Sequence, residues 1–182
     1  MTSTITIVGL GPAGLDRLRP HELAELVDPS ATVIVRTAEH PAASDLAALR
    51  PVVACDDLYD AGTDFDEVYE AIVERVVGAS LDGSVIYAVP GSAIVGERAV
   101  ARLVAVAERE GIPCVVIPGE SFIDAACALV GIDPIADGLQ VLDARALSDP
   151  LPLHLPSFIT QIDSALVAGE VALALGRILP GP

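Results

Sequence analysis

Apolar residues fall along this chain in short blocks separated by segments of helical periodicity. Ile5-Thr6-Ile7-Val8 is a β-branched run that ends at Gly9. Thr32-Val33-Ile34-Val35, Val52-Val53-Ala54-Cys55, Val85-Ile86-Tyr87-Ala88-Val89 and Cys114-Val115-Val116-Ile117 repeat the pattern. Such continuous apolar runs predict strands buried on both faces, as in a parallel sheet. Pro20 suits the first turn of a helix, and Leu23, Leu26 and Val27 follow at helical intervals. A short helix is expected over residues 42–49. The acidic stretch 56–74 predicts an amphipathic helix in its second half, with Phe65, Val68, Tyr69, Ile72, Val73 and Val76 on one side. Asp64 stands at its N-cap and Glu67 at the capping-box position. A further helix is expected from about residue 96 to 110, where Gly111-Ile112-Pro113 turns the chain.

Strand and helix thus alternate up to Ile117, which predicts an α/β fold with a mainly parallel sheet. Beyond Gly119 the rhythm changes. Residues 122–130 read as a helix, 131–138 as a Gly/Pro loop, and 166–178 as a final helix. Leu139-Gln140-Val141-Leu142 and Ser157-Phe158-Ile159-Thr160 are short strand candidates. The expected organisation is an N-terminal lobe over 1–117 and a second α/β lobe over 118–182. There is no internal repeat and no low-complexity linker.

Charge narrows the function classes. Lys plus Arg total 10 against 26 Asp plus Glu, a net charge of −16. That balance repels phosphate backbones and anionic membranes, so no nucleic-acid or membrane partner is expected. With no Trp and three each of Phe and Tyr, stacking platforms for bases are not expected either. No uncharged apolar run approaches the ~18 residues that span a bilayer. The first residues carry no basic signal, so a cytoplasmic protein is expected. Cys55, Cys114 and Cys127 are widely spaced, which indicates neither a disulfide framework nor a zinc site. No metal is expected; Glu67, Glu70 and Glu74 read as a solvated acidic face.

Gly9-Leu10-Gly11-Pro12-Ala13-Gly14 follows the first strand and matches GxGxxG. A dinucleotide site needs more than three glycines. The third should open a helix whose N-terminus carries the pyrophosphate, with an acidic residue about 20 positions on. Pro20 falls where that helix would run, and Arg36 stands at the end of the second strand. The pattern therefore argues against NAD, NADP or FAD, although Arg36 has the charge to meet a 2′-phosphate. Two more strands end in glycine turns, Pro90-Gly91-Ser92 and Pro118-Gly119-Glu120-Ser121. In an open α/β sheet the ligand crevice lies at these carboxyl ends, and glycine lets a ligand approach the backbone. The three turns are candidate crevice walls as well as simple strand stops. Ser92 and Ser121 have no visible base, so nucleophilic catalysis is not indicated.

These blocks resemble the tetrapyrrole methylase superfamily of S-adenosylmethionine-dependent methyltransferases. Ile7-Val8-Gly9-Leu10-Gly11-Pro12 is similar to that family's first strand and turn. Asp56-Asp57-Leu58-Tyr59 and the segment from Phe65 to Glu74 look like the methylase-like domain fused to MazG-type nucleotide pyrophosphohydrolases. So do the segments from Tyr87 to Arg98 and from Ile117 to Ala125, then Gly131-Ile132-Asp133-Pro134 and Ile159-Thr160-Gln161. The match runs in order along nearly the whole chain.

The resemblance implies a two-lobed fold, S-adenosylmethionine as cofactor, and a homodimer. It places cofactor contacts at Leu10, Gly11 and Pro12, at Pro90, Gly91, Ser92 and Val95, at Ser121 and Phe122, and at Gln161. Arg36 and His40 are candidates to line an acceptor pocket, or belong to a surface loop. Tyr87, Glu97, Glu120 and Asp124 are unranked candidates for a base. The chain departs from the family at Ser92-Ala93, where many relatives have Asp or His before Pro, and at Gly11-Pro12-Ala13-Gly14, where Gly-Pro-Gly-Asp is usual. The chain also stops before the last strands such a second lobe would have, so that lobe is expected to be incomplete. Two functions follow. One is a methyltransferase acting on a small-molecule acceptor. The other is a non-catalytic domain that binds an adenosyl ligand or a partner and regulates a MazG-type pyrophosphohydrolase.

Overall fold

The computed structural model describes residues 3–62 and 64–178. Five strands, β1 (Ile5–Gly9), β2 (Thr32–Val35), β3 (Val53–Ala54), β4 (Val85–Val89) and β5 (Cys114–Ile117), form one sheet in the order β3-β2-β4-β1-β5. Every neighbouring pair is parallel; Ile5 sits opposite both Val85 and Cys114. The apolar runs are continuous because helices cover both faces. Ile5, Ile7, Ile34 and Tyr87 point to one face, against α4 (Phe65–Ser80) and α5 (Arg98–Glu110). Val8, Val33, Val35 and Ile86 point to the other, against Leu26 of α1 (Pro20–Leu26) and Ala42, Ala43 and Leu46 of α2 (Pro41–Leu49). Burying side chains such as Ile72 and Leu103 contributes roughly 1.5–3 kcal/mol each, and both are fully buried.

The helix signals act where the sequence places them. Pro20 begins α1. The Asp64 carboxylate accepts from the Glu67 amide at 2.9 Å and so caps α4, worth about 1 kcal/mol. Gly111 ends α5 with φ at 70°. The third strand is shorter than expected, and Val52 stands outside it. Cys55 does not extend β3; it precedes a further helix, α3 (Asp56–Ala61). Its six residues are too few to show a period, but Asp56 and Asp57 suit the positive end of a helix. Arg75 of α4 ties this region down, gripping Asp57 through two bonds of 2.7 and 2.6 Å and the Ala54 carbonyl at 2.9 Å.

The chain forms two compact units, Met1–Phe122 and Ile123–Pro182. Helix α6 (Phe122–Val130) begins at the boundary. In the second unit β6 (Gln140–Asp143) and β7 (Ser157–Thr160) pair in parallel, and α7 (Ala165–Gly176) follows. Strand β6 lies one residue later than its apolar pattern suggested. The Gln140 side chain explains this, donating to the Pro152 carbonyl at 2.5 Å and the Ser157 hydroxyl at 2.7 Å. The core of this unit is small, centred on Ala144, Val167 and Val171. Among the described residues no helix is long and apolar enough to cross a membrane.

Candidate functional site

Strands β1 and β4 are neighbours, yet the chain leaves them toward opposite faces. After β1 it enters α1 on the Val8–Ile86 side; after β4 it enters α5 on the Ile7–Tyr87 side. That divergence is a topological switch point, where open α/β sheets leave a crevice beyond the strand ends. The turns after β1, β4 and β5 all meet there. The Leu10 amide donates to the Val89 carbonyl at 2.8 Å. Gly11 and Gly91 exchange two bonds, of 3.0 and 2.8 Å, in a small antiparallel bridge. The Ala93 amide donates to the Pro118 carbonyl at 2.7 Å.

This knot explains the glycines better than sequence could. A Cβ on Gly9 would lie 2.1 Å from the Pro118 oxygen, and one on Gly119 would lie 2.4 Å from the Gly9 oxygen. Those two glycines serve turn-to-turn packing. Gly91 differs: with φ at 63°, its hypothetical Cβ would meet nothing within 4 Å. Its backbone is therefore open to close approach. Leu10 is buried in the core, so what it offers a ligand is main chain; Ser92 is buried and Pro12 exposed.

The amides of Leu10, Gly11, Gly91 and Ala93 are committed to one another's turns, and that of Val95 to the Ser92 carbonyl at 3.1 Å. None of these five is left to cradle an anion. Gly14 is followed by a single 3-10 turn, Leu15–Arg17, before α1 begins at Pro20. The pyrophosphate-binding helix end that GxGxxG normally supplies is thus not built.

Arg36 follows β2, with its amide on the Ala88 carbonyl at 2.9 Å. Its guanidinium is bonded to the Glu97 carboxylate just ahead of α5. The Glu97 side chain is only 6% exposed. Burial pushes Glu97 upward, and Arg36 opposes that shift. Tyr59 of α3 and Tyr87 of β4 stand beside the pair. Burial raises both phenols, Tyr87 far out of reach of base chemistry. The Arg36 Nε and the Tyr59 and Tyr87 hydroxyls are buried without a well-formed hydrogen bond. Two candidate bases, Tyr87 and Glu97, are therefore members of this cluster rather than free groups. Glu120 lies 4.0 Å from Arg17, and Asp124 is exposed on α6.

His40 lies against the first turn, next to the Gly11 carbonyl. Its Nδ1 is buried without a well-aligned bond. Burial lowers its pKa, with Gly11 acting in the opposite direction. The structure thus brings His40 to the knot but ties Arg36 to Glu97. Ser121 and Phe122 follow the third turn. Gln161 belongs to the second unit, directly after β7, and is a non-glycine residue with φ at 62°. Sequence reasoning did not single out Tyr59 as functional; its one signal was an aromatic residue within an otherwise acidic stretch. Among the described residues no group of three or more His, Cys, Asp or Glu is placed to hold a metal ion.

Residues 4–163 match the family model of the tetrapyrrole (corrin/porphyrin) methylases. The chain belongs to this family. Such a methylase from Thermus thermophilus, uroporphyrin-III C-methyltransferase, has a solved structure that matches with a TM-score of 0.68 at 20% identity, over 98% of this chain and 75% of that one. Another structure of a Thermus thermophilus uroporphyrin-III C-methyltransferase, complexed with S-adenosylhomocysteine, matches with a TM-score of 0.55 at 19% identity, over 78% and 59%. A diphthine synthase matches with a TM-score of 0.55 at 20% identity, over 81% and 56%. These likenesses establish the methylase fold with its five-stranded parallel sheet. In sequence, the uncharacterized protein YabN of Bacillus subtilis (strain 168) is 37% identical over 99% of this chain. The match spans only 37% of YabN, leaving most of that protein outside it.

Proposed function

We propose that this methylase-family chain is a methyltransferase domain with S-adenosylmethionine as donor and a small molecule as acceptor. The observation that carries the reading is the knot of turns at the β1–β4 switch point, with its amides spent internally and Gly91 open. When bound, the cofactor supplies an electrophilic methyl group on a positively charged sulfur. Turns whose donors are satisfied present no anion-binding nest, while backbone carbonyls remain compatible with a cationic ligand. Gly11, Gly91 and Val95 give the closest backbone approach, with Ser121 and Phe122 as further contacts. His40 is held against Gly11, and burial lowers its pKa, which favours the neutral ring with a nitrogen that accepts a proton. The chain's task is to hold donor and acceptor in line and exclude water.

A second reading is a ligand-binding regulatory domain within a longer protein, of the kind that accompanies a MazG-type pyrophosphohydrolase. The length of YabN outside the match favours it. A homodimer and a cytoplasmic location go with either reading as proposals.

Calorimetric titration with S-adenosylhomocysteine tests the cofactor site, with NADPH as control. Binding of the first at about micromolar Kd, roughly −8 kcal/mol, with none of the second, is the expected result. NADPH binding alone would restore the dinucleotide reading. Binding of neither would remove the methyltransferase proposal.

A further inference from the structure

Helices α4 and α5 pack side by side over one face of the sheet and leave a groove on their outer side, about 600 Å³ in volume. Its apolar lining comes from Val73 and Val77 of α4 and from Ala105 and Val106 of α5. Val77, Ala105 and Val106 all remain in contact with solvent. Apolar surface held open between two helices is the kind that a partner helix covers.

The two walls carry opposite signs. On the α4 side Glu70 and Glu74 stand one turn apart on the rim. On α5 the residues Arg98, Arg102, Ala105 and Arg109 share one face, since residues three and four apart are neighbours on a helix. Three of the ten basic residues of the chain thus lie on this stripe. Arg102 is spent within the chain: it bonds Asp66, lies 3.7 Å from Glu70 and rests over the Tyr69 ring. Arg109 is 70% exposed, and its partner is its sequence neighbour Glu110 at 3.3 Å. Adjacent helical residues do not face each other, so this solvated pair exchanges at little cost. Glu74 is exposed and has no ion pair among the described residues.

Symmetry makes this arrangement self-complementary. Two copies of net charge −16 repel each other at long range, so association needs a patch where opposite signs meet. A two-fold axis running along the groove lays α4 of one copy on α5 of the other, and every contact then occurs twice. Carboxylates of α4 face guanidiniums of α5 in both halves. An axis across the groove would instead lay α4 on α4 and set Glu70 and Glu74 against their own copies.

We propose that the α4–α5 groove is the interface of a symmetric homodimer, in which α4 of each copy packs on α5 of the other, Glu74 pairs with the partner's Arg109, and the apolar strips cover each other. The inference assigns a surface to the homodimer and is independent of whether the chain transfers a methyl group.

Sedimentation equilibrium on the purified chain tests it. The wild type is expected at twice 18.7 kDa at micromolar concentration. Glu74→Arg and Arg109→Glu each bring like charges together at two symmetry-related places and weaken association about tenfold or more. The double variant Glu74→Arg/Arg109→Glu exchanges the signs and restores association. Ala105→Glu places a charge in the apolar strip and yields monomer. All three positions are exposed, so the fold withstands these substitutions, which circular dichroism checks. A monomeric wild type, single reversals that leave the dimer unchanged, a double variant as weak as the weaker single, or an intact Ala105→Glu dimer would overturn the proposal.

Discussion

Gly9 and Gly91 have the same side chain, the same kind of strand-end position and different jobs. Gly9 is caged by the carbonyls of Pro118 and Gly91, whereas Gly91 faces open space. Alanine at position 9 forces the turns apart, a loss of about 3 kcal/mol by overpacking. Alanine at position 91 meets no atom but must adopt a left-handed backbone, at about 1–2 kcal/mol. Thermal unfolding of the two variants therefore ranks Gly9→Ala as the more damaging. S-adenosylhomocysteine titration ranks them the other way among folded molecules: Gly91→Ala weakens binding about tenfold or more, the equivalent of ~1.4 kcal/mol. Equal affinity of Gly91→Ala and wild type would show that no ligand approaches that backbone. The sequence showed three glycine turns; it could not say which glycine packs on protein and which is open, because that depends on neighbours far along the chain.

Between elements, short polar ties fix the loops at the carboxyl edge. The Asp56 carboxylate of α3 accepts from the Thr37 hydroxyl at 2.6 Å and the Ala38 amide at 2.9 Å. It thereby pins the loop that carries Arg36 and His40. Burial alone would raise the pKa of Asp56, but these bonds outweigh it and hold it below the usual carboxylate range. A carboxylate whose pKa is lowered on folding adds stability above its unfolded pKa and loses it as pH falls through the folded value. Asp56→Asn is thus expected to lower the melting temperature at pH 7 and to change it progressively less as the pH falls through the acid range where Asp56 is protonated. An equal shift at every pH would contradict the ionised-carboxylate role. The strands and most helices were legible at this scale, since β-branched runs and Pro20, Asp64 and Gly111 act locally. Helix α3 was not, because six residues, three of them acidic, carry no period; its anchoring by Arg75 comes from α4.

The whole molecule carries 26 acidic residues against 10 basic ones. Self-repulsion opposes the compact state, while the solvated ion pairs that salt would weaken contribute little each. Raising sodium chloride from about 10 mM to about 150 mM shortens the screening length from roughly 30 to 8 Å, so the melting temperature should rise; a fall would mean that the ion pairs dominate. The α/β class, the parallel sheet and the three glycine turns were determined by the sequence alone, because apolar runs and turn residues act over a few positions. The family was legible there too, since ordered blocks from Ile7 to Gln161 carry it. Tertiary structure decided the strand order, and with it the switch point between β1 and β4, because pairing partners lie about eighty residues apart. It also decided what Arg36 does. On the page Arg36 is a free cation at a strand end; in the fold Glu97, sixty-one positions away, neutralises it, since burial allows a charge there only with its opposite beside it.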